Sequence, residues 1–365
     1  MGGLIHLKKR DTMPLWKSLL IRGAALVAAF LFCSVVLYAL EKRTPIELLE
    51  TMFTGSLGTE RRIWKLLKDI SILLCISLAV TPAFRMKFWN IGAEGQVLVG
   101  GLATAACLYY LGGKMPDWLL IAVMIIAAVA AGALWGVIPA IFKSIWNTNE
   151  TLFTLMMNYL GQYLVAYFLL LWTPDGSSTL PRMEEHGMLP TIGSGYAGEQ
   201  YLLIILLVAL LTVIMYFYLN YSKQGYEISV VGESQNTARY VGINVPKVII
   251  RTMIVSGALC GLAGFLIVGG LDRSVNPTTA GGQGFTAIMV SWLAKFNPLI
   301  MVATSFFIIF LQQGASQMSD SFGMSDSLPN VMVGIILFFI IGCEFFINYQ
   351  VALGSGKRSK KGEAK

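Results

Sequence analysis

Charge is scarce in this 365-residue sequence: 13% of residues are Asp, Glu, Lys or Arg, against 56% hydrophobic. A soluble globule of this size cannot cover its surface with so few charges, so the composition points to a polytopic helical membrane protein. Histidine is scarcer still. His6 and His186 are the only two, and they stand in distant polar segments. No histidine metal site or His-containing triad can be assembled from them within one subunit. The five cysteines, Cys33, Cys75, Cys107, Cys260 and Cys343, each sit alone in an apolar run without C-x-x-C spacing and read as small buried hydrophobes. The sequence also lacks paired acids and an activated nucleophile, which disfavours a membrane-embedded enzyme. A phosphate-binding loop is missing too: Gly354-Ser355-Gly356-Lys357-Arg358 has no first glycine at the required spacing and no Ser or Thr after the lysine. If ATP drives this protein, another chain binds it. Nor is there the membrane aspartate pair or histidine relay that a proton-coupled pump needs.

What is present is a series of apolar runs. Those long enough to cross a bilayer, taking about 20 residues as the helical requirement, are Gly23 to Leu40, Gly95 to Gly113, Trp118 to Phe142, Thr151 to Pro174, Gln200 to Ser222, Thr252 to Leu271 and Phe296 to Ser319. Ile70 to Phe84 and Ser327 to Cys343 need flanking residues to reach. Phe285 to Ala294, preceded by Gly281, Gly282 and Gly284, is too short for an ordinary span and predicts a half-helix or a span with an unwound start. The expectation is therefore an all-α transmembrane bundle of about ten segments over 23–348, between a basic N-terminus (1–22) and a basic tail (349–365).

The net charge of +7 does not describe a nucleic-acid face, because the basic residues lie between apolar runs and at the two ends. With the N-terminus cytoplasmic, most of the 27 Lys and Arg residues fall on the inner side. Both termini inside is the favoured orientation. It makes 221–251 a cytoplasmic loop and 173–199 an external one. The external loop carries Asp175, Glu184, Glu185 and Glu199 against Arg182. It is either a docking place for an extracytoplasmic partner or a solvated acidic loop.

The most costly stretch is Asn90-Ile91-Gly92-Ala93-Glu94-Gly95-Gln96, three polar side chains around two closely spaced glycines just before an uncharged run. An acidic residue at membrane depth must face protein, water or a pathway. Glu94 is thus either a pathway or gate residue or a cap on a helix N-terminus. Asn90, Gln96, Asn158, Gln162 and Gln283 are each open to two readings, path lining or interhelical hydrogen-bond glue. Asn158 and Gln162 share a helix face. Phe285 and Trp292 also share a face and are either core or a ring-stacking wall. Trp89, Trp118, Trp146 and Trp172 sit at run ends as interfacial anchors. The glycine-rich stretches 92–96 and 281–284 open the third and eighth segments. A separation of five segments is the pattern of an inverted repeat, with the two stretches flanking a path from opposite leaflets. On the cytoplasmic side, Ser234 predicts the cap of a short helix that Gly242 ends, with Pro246 beyond.

Several blocks in order carry a resemblance: Asn90 to Gln96, Asn149-Glu150-Thr151 with Leu155-Met156-Met157-Asn158-Tyr159, Ala238-Arg239-Tyr240-Val241-Gly242-Ile243-Asn244, Ser256-Gly257-Ala258-Leu259 with Gly261-Leu262-Ala263-Gly264, and Gly284-Phe285-Thr286-Ala287-Ile288. Over roughly Asn90 to Pro298 the chain resembles the nucleoside permease subunits of bacterial ABC importers, in the group with ribose and branched-chain amino-acid permeases. The resemblance implies a transmembrane domain similar to the cobalamin-importer type, in the bacterial plasma membrane. The domain would work as a permease dimer, of like or unlike subunits, with ATP-binding subunits and an extracytoplasmic solute-binding lipoprotein. It implies no cofactor in this chain, ATP being bound by the partner, and ATP-driven alternating access as the transport step. Within 232–244, Glu233, Asn236, Ala238, Arg239, Tyr240, Val241 and Gly242 would form the coupling helix against the ATPase, with Glu233 and Arg239 pairing across the interface and Tyr240 and Val241 buried by it. Sugar permeases of the group show a Gly-Gly-Ile-Asp-Leu-Ser type of sequence where this chain has Asn90 to Gln96. That difference favours nucleosides over a simple sugar such as ribose. A stand-alone secondary transporter is the alternative from another class. One departure is Cys260 and Phe265, in a glycine-rich span where smaller residues are usual.

Overall fold

The computed structural model of the chain describes residues 5–9, 14–41, 45–173, 176–183, 185–190, 198–323 and 327–353. In chain order these form strand β1 (Ile5–Lys9), helices α1 (Leu15–Glu41), α2 (Pro45–Leu57), α3 (Glu60–Arg85), α4 (Ala93–Leu111), α5 (Asp117–Trp146), α6 (Glu150–Trp172), α7 (Gly198–Tyr221), α8 (Lys223–Glu233), α9 (Gln235–Tyr240), α10 (Val245–Phe265), α11 (Gln283–Leu293), α12 (Pro298–Phe322) and α13 (Ser327–Asn348), and strand β2 (Tyr349–Leu353). Each of the ten expected segments is a helix: α1, α3 to α7 and α10 to α13. Among the described residues, five helical stretches are long and apolar enough to cross a membrane, and α1 and α13 carry shorter apolar stretches.

Two helices and a pair of strands were not expected. Helix α2 lies in the first charged loop, and α3 begins ten residues before its uncharged run, so Arg61, Arg62, Lys65 and Lys68 stand on the first turns of α3 rather than in a loop. Helix α8 occupies the front of the cytoplasmic loop. Strands β1 and β2 pair antiparallel, Ile5 opposite Leu353 and Lys9 opposite Tyr349, which adds a two-stranded ribbon to the all-α bundle. The tail beyond Leu353, and Asp175 and Glu184 of the external loop, lie outside the described residues.

The chain divides into two compact units, residues 1–58 with 311–365, and residues 59–310. In the first, α1 packs on α13: the Phe32 and Phe339 rings stand 6.0 Å apart, and the Cys33 thiol donates to the Met332 carbonyl at 3.8 Å. The second unit is built round α10. In the apolar 18-residue stretch of Val245–Asp272 67% is buried, against 22% in that of α5. The closeness of α5 and α10 follows from glycine at three crossing positions: a Cβ on Gly257 would collide with the Gly132 carbonyl, and one on Gly261 with the backbone of Ala128. Small residues are how helices approach in lipid, where no hydrophobic effect drives them together. Cys260 and Phe265 fit this packing and are fully buried. The Phe265 ring lies against Gly269, in a π-helical turn, Leu266–Asp272, that continues α10.

Candidate translocation site and coupling surface

The Asn90 to Gln96 stretch leads into α4, and its polar groups are satisfied by the protein itself. The Asn90 amide donates to Ser256 Oγ on α10 (3.2 Å) and to Gln96 Oε1 (3.4 Å), and its Oδ1 accepts from Gly92 N (3.1 Å) and Gln96 Nε2 (3.4 Å). Asn158 on α6 reaches across, donating to the Ile91 carbonyl (2.9 Å) and accepting from Gly95 N (2.8 Å). The Thr154 hydroxyl accepts from Ile91 N at 3.2 Å. Asn90, Gln96, Asn158, Thr154 and Ser256 are all buried. The amides of Asn90, Gln96 and Asn158 are bonded to neighbouring helices, to each other's stretch and to backbone left free where α4 begins. At 1.5 Å per residue Asn158 lies about 12 Å into α6 and Ser256 about 16 Å into α10.

Glu94 is buried beside this network and closes another junction. Its Oε1 accepts from Gly282 N at 2.7 Å and its Oε2 from Gly284 N at 2.8 Å. The carboxylate thus caps α11 from outside, with the positive end of the helix dipole and two charge-assisted hydrogen bonds compensating the charge in place of water. The backbone there needs glycine: Gly281 and Gly282 have φ of +58° and +74°, and a Cβ on Gly284 would come within 2.5 Å of Glu94 N. The two glycine-rich stretches meet, joined by Glu94.

The other expected path residues sit differently. Gln162 and Gln283 are half-buried, and the Gln283 Oε1 is buried with no hydrogen-bond partner. Phe285 and Trp292 are exposed on α11 rather than in the core. The Trp292 ring lies 5.4 Å from that of Trp89, tilted by 30°, and stands 5.7 Å from Phe296, so Trp89 belongs to an aromatic wall with α11.

The predicted cytoplasmic helix is α9. Ser234 Oγ accepts from Thr237 N at 3.2 Å as its N-cap. Gly242, at φ +82°, ends it in a Schellman turn, with Ile243 N donating to the Ala238 carbonyl at 2.9 Å. Ala238 alone of the helix is buried, in an apolar cluster with Ala83, Met86, Phe88, Ile228 and Val245. Glu233, Asn236, Arg239, Tyr240, Val241 and Gly242 are exposed, Tyr240 at 93%. One anchored alanine and two caps hold a six-residue helix rigid and turn an aromatic ring outward.

Sequence reasoning passed over Arg273. It is buried in the left-handed region, φ +54°, and donates to the carbonyls of Met183 (3.1 Å), Gly187 (2.9 Å), Gly269 (2.8 Å) and His186. It thereby fastens the described part of the external loop to the end of α10. Coming directly after Asp272, it reads in sequence only as the edge of an apolar run.

Residues 62–341 match the family described as branched-chain amino acid transport system / permease component. A guanosine ABC transporter permease of Bacillus subtilis is 30% identical over 314 residues, 85% of this chain and 88% of that protein. A glucose ABC transporter permease of Haloferax volcanii is 27% identical over 370 residues, 99% of this chain and 97% of that one. A nucleoside ABC transporter permease of Lactococcus lactis is 26% identical over 357 residues, 95% and 96% of the two chains. The chain thus belongs to the branched-chain amino-acid transport permease family: it is a multi-pass membrane permease subunit of an ABC transporter, not an enzyme, and hydrolysis of ATP belongs to a separate subunit.

Proposed function

We propose that the chain, paired with a second permease, forms the path of an ATP-driven importer for nucleosides. The observation that carries the substrate class is the similarity to the guanosine permease at 30% identity over 85% of this chain, with the nucleoside permease beside it. The path is lined by Gln162, Gln283, Phe285 and Trp292. Asn90, Glu94, Gln96 and Asn158 hold in register the helices that carry these residues. Glu94 acts as a gate residue only through the position of α11.

Coupling runs through α9: Glu233, Asn236, Arg239, Tyr240 and Val241 seat in a groove of the ATP-binding subunit, with Ala238 and Gly242 fixing the helix beneath them. The exposure of Tyr240 supports this, because a ring so bare on a rigid charged tip is an unpartnered contact surface. A solute-binding lipoprotein delivers the solute from outside, over the external loop that Arg273 fastens. Both chain ends face the cytoplasm of a bacterial plasma membrane. The antiparallel β1 and β2 support a common side for them.

A glucose permease that aligns over 99% of this chain favours a second reading, a simple sugar as cargo. Uptake of labelled guanosine, uridine, ribose and glucose in cells with and without the gene decides between the two. Loss of nucleoside uptake is expected, and loss of sugar uptake alone would overturn the assignment. The pair Arg239→Glu and Val241→Asp, made together, is expected to leave the permease folded while uncoupling substrate-stimulated ATPase activity. Unchanged coupling would remove α9 from that role.

A further inference from the structure

Helix α6 turns one face into the bundle through Thr154, Met157, Asn158, Gly161, Val165 and Leu169. The opposite face is exposed, with Leu152 and Met156 at one end, Leu170 and Leu171 at the other, and between them Tyr159, Tyr163 and Tyr167 with a single aliphatic, Leu160. By helical rise Tyr159 and Tyr163 lie about 14 and 20 Å from the start of a helix about 35 Å long. A lipid-facing helix has the reverse order, with aliphatic side chains at the centre and Tyr or Trp at the ends, because a phenol hydroxyl in hydrocarbon has no hydrogen-bond partner.

The same subunit contains that ordinary pattern. On α5 the exposed Trp118 and Trp146 stand at the two ends, with Ile126, Leu134, Ile138 and Ile141 between them. The aromatic belt at the far end of α6 is also already supplied, by Trp172 donating to the Tyr110 hydroxyl at 3.0 Å with Tyr109 stacked on it. Nor does the face look like a seam to another helix. Where this chain packs helices tightly it uses glycine, at Gly132, Gly257 and Gly261 and at Gly95 against Gly161. The exposed face of α6 has large side chains throughout.

We infer that Tyr159, Tyr163 and Tyr167, with Gln162 beside them, form a wall of the water-filled path and contact the nucleoside in transit. The phenol rings stack on the base, a contact that tolerates different bases because each has a π face. The hydroxyls and the Gln162 amide take hydrogen bonds from ribose and base edges. This deepens the nucleoside reading and rests on it.

The test is thiol labelling of the assembled transporter in cells, with Tyr159→Cys, Tyr163→Cys and, as lipid-facing control, Ile126→Cys. The native cysteines are buried, apart from the half-buried Cys107, so the background is low. With a charged, water-soluble methanethiosulfonate, both tyrosine positions are expected to react at least about tenfold faster than the control, and guanosine but not ribose to slow them about tenfold, the scale of one base-stacking contact. Two positions are used so that poor assembly of one variant leaves the other. Labelling no faster than at Ile126→Cys overturns the wall, and so does labelling that guanosine leaves unchanged. Guanosine and ribose uptake by the unsubstituted transporter separates the causes. Guanosine uptake with unprotected tyrosine positions removes the wall alone, whereas ribose uptake without guanosine uptake removes the nucleoside reading with it.

Discussion

Helices α5 and α6 are neighbours in sequence, both cross the membrane and both leave large side chains bare, yet their exposed residues are ordered oppositely with depth. Along α5 the tryptophans are terminal and the aliphatics central; along α6 aliphatics hold both ends while three tyrosines, with Leu160 among them, hold the centre. Exposure in an isolated subunit therefore has more than one meaning. The solvent a face meets is encoded in where along the helix each residue type stands, since hydrocarbon penalises a bare hydroxyl most at mid-depth. The inner faces differ too. Helix α5 is clasped by backbone approach at glycine, whereas α6 adds to its Gly161 approach to Gly95 the side chains of Asn158 and Thr154, which accept hydrogen bonds from the backbone at the start of α4.

The comparison breaks most severely at the glycine clasp. Gly261→Val drives a branched side chain into the Ala128 backbone. It is expected to destabilise the permease by roughly 3 kcal/mol or more, seen as loss of folded protein in detergent or a large fall in Tm. A normal Tm would mean that α5 and α10 are not held as described.

Next in size is Glu94→Leu, which leaves the two α11 N–H groups unpartnered. The expected cost is about 2–3 kcal/mol, with uptake abolished. Glu94→Gln keeps one acceptor and is expected to retain the fold with partial uptake, and equal behaviour of the two variants would dismiss the carboxylate's role as a cap. Smaller again, Tyr163→Leu gives α6 the lipid pattern and is expected to lower nucleoside kcat/KM about tenfold, or about 1.4 kcal/mol, with Tm unchanged. The smallest effect is at Ile126→Leu on α5, expected within about 0.5 kcal/mol in stability and without effect on uptake. A large loss there would erase the distinction between the two faces.

Much of the fold was legible because apolar runs and membrane helices are the same physical object seen twice, and all ten runs became helices. Helices α2 and α8 were not legible, because short amphipathic segments with several charges resemble loops in composition. The Asn90 to Gln96 stretch declared its cost in sequence, and α9 its two caps. What could not be read was direction. An amide in a span has the same letter whatever it faces, and the partners of Asn90, Gln96 and Asn158 are seen only once the helices are placed. The tyrosines of α6 were invisible for the same reason, since their face becomes an exposed one only once Gly161 and Val165 are known to point inward.

The cargo is the property most directly open to measurement. Labelled guanosine and labelled glucose offered to the same cells, with and without this permease, measure it. Guanosine uptake that disappears with the permease, alongside unchanged glucose uptake, is the result predicted. Glucose uptake that disappears while guanosine uptake persists would contradict it.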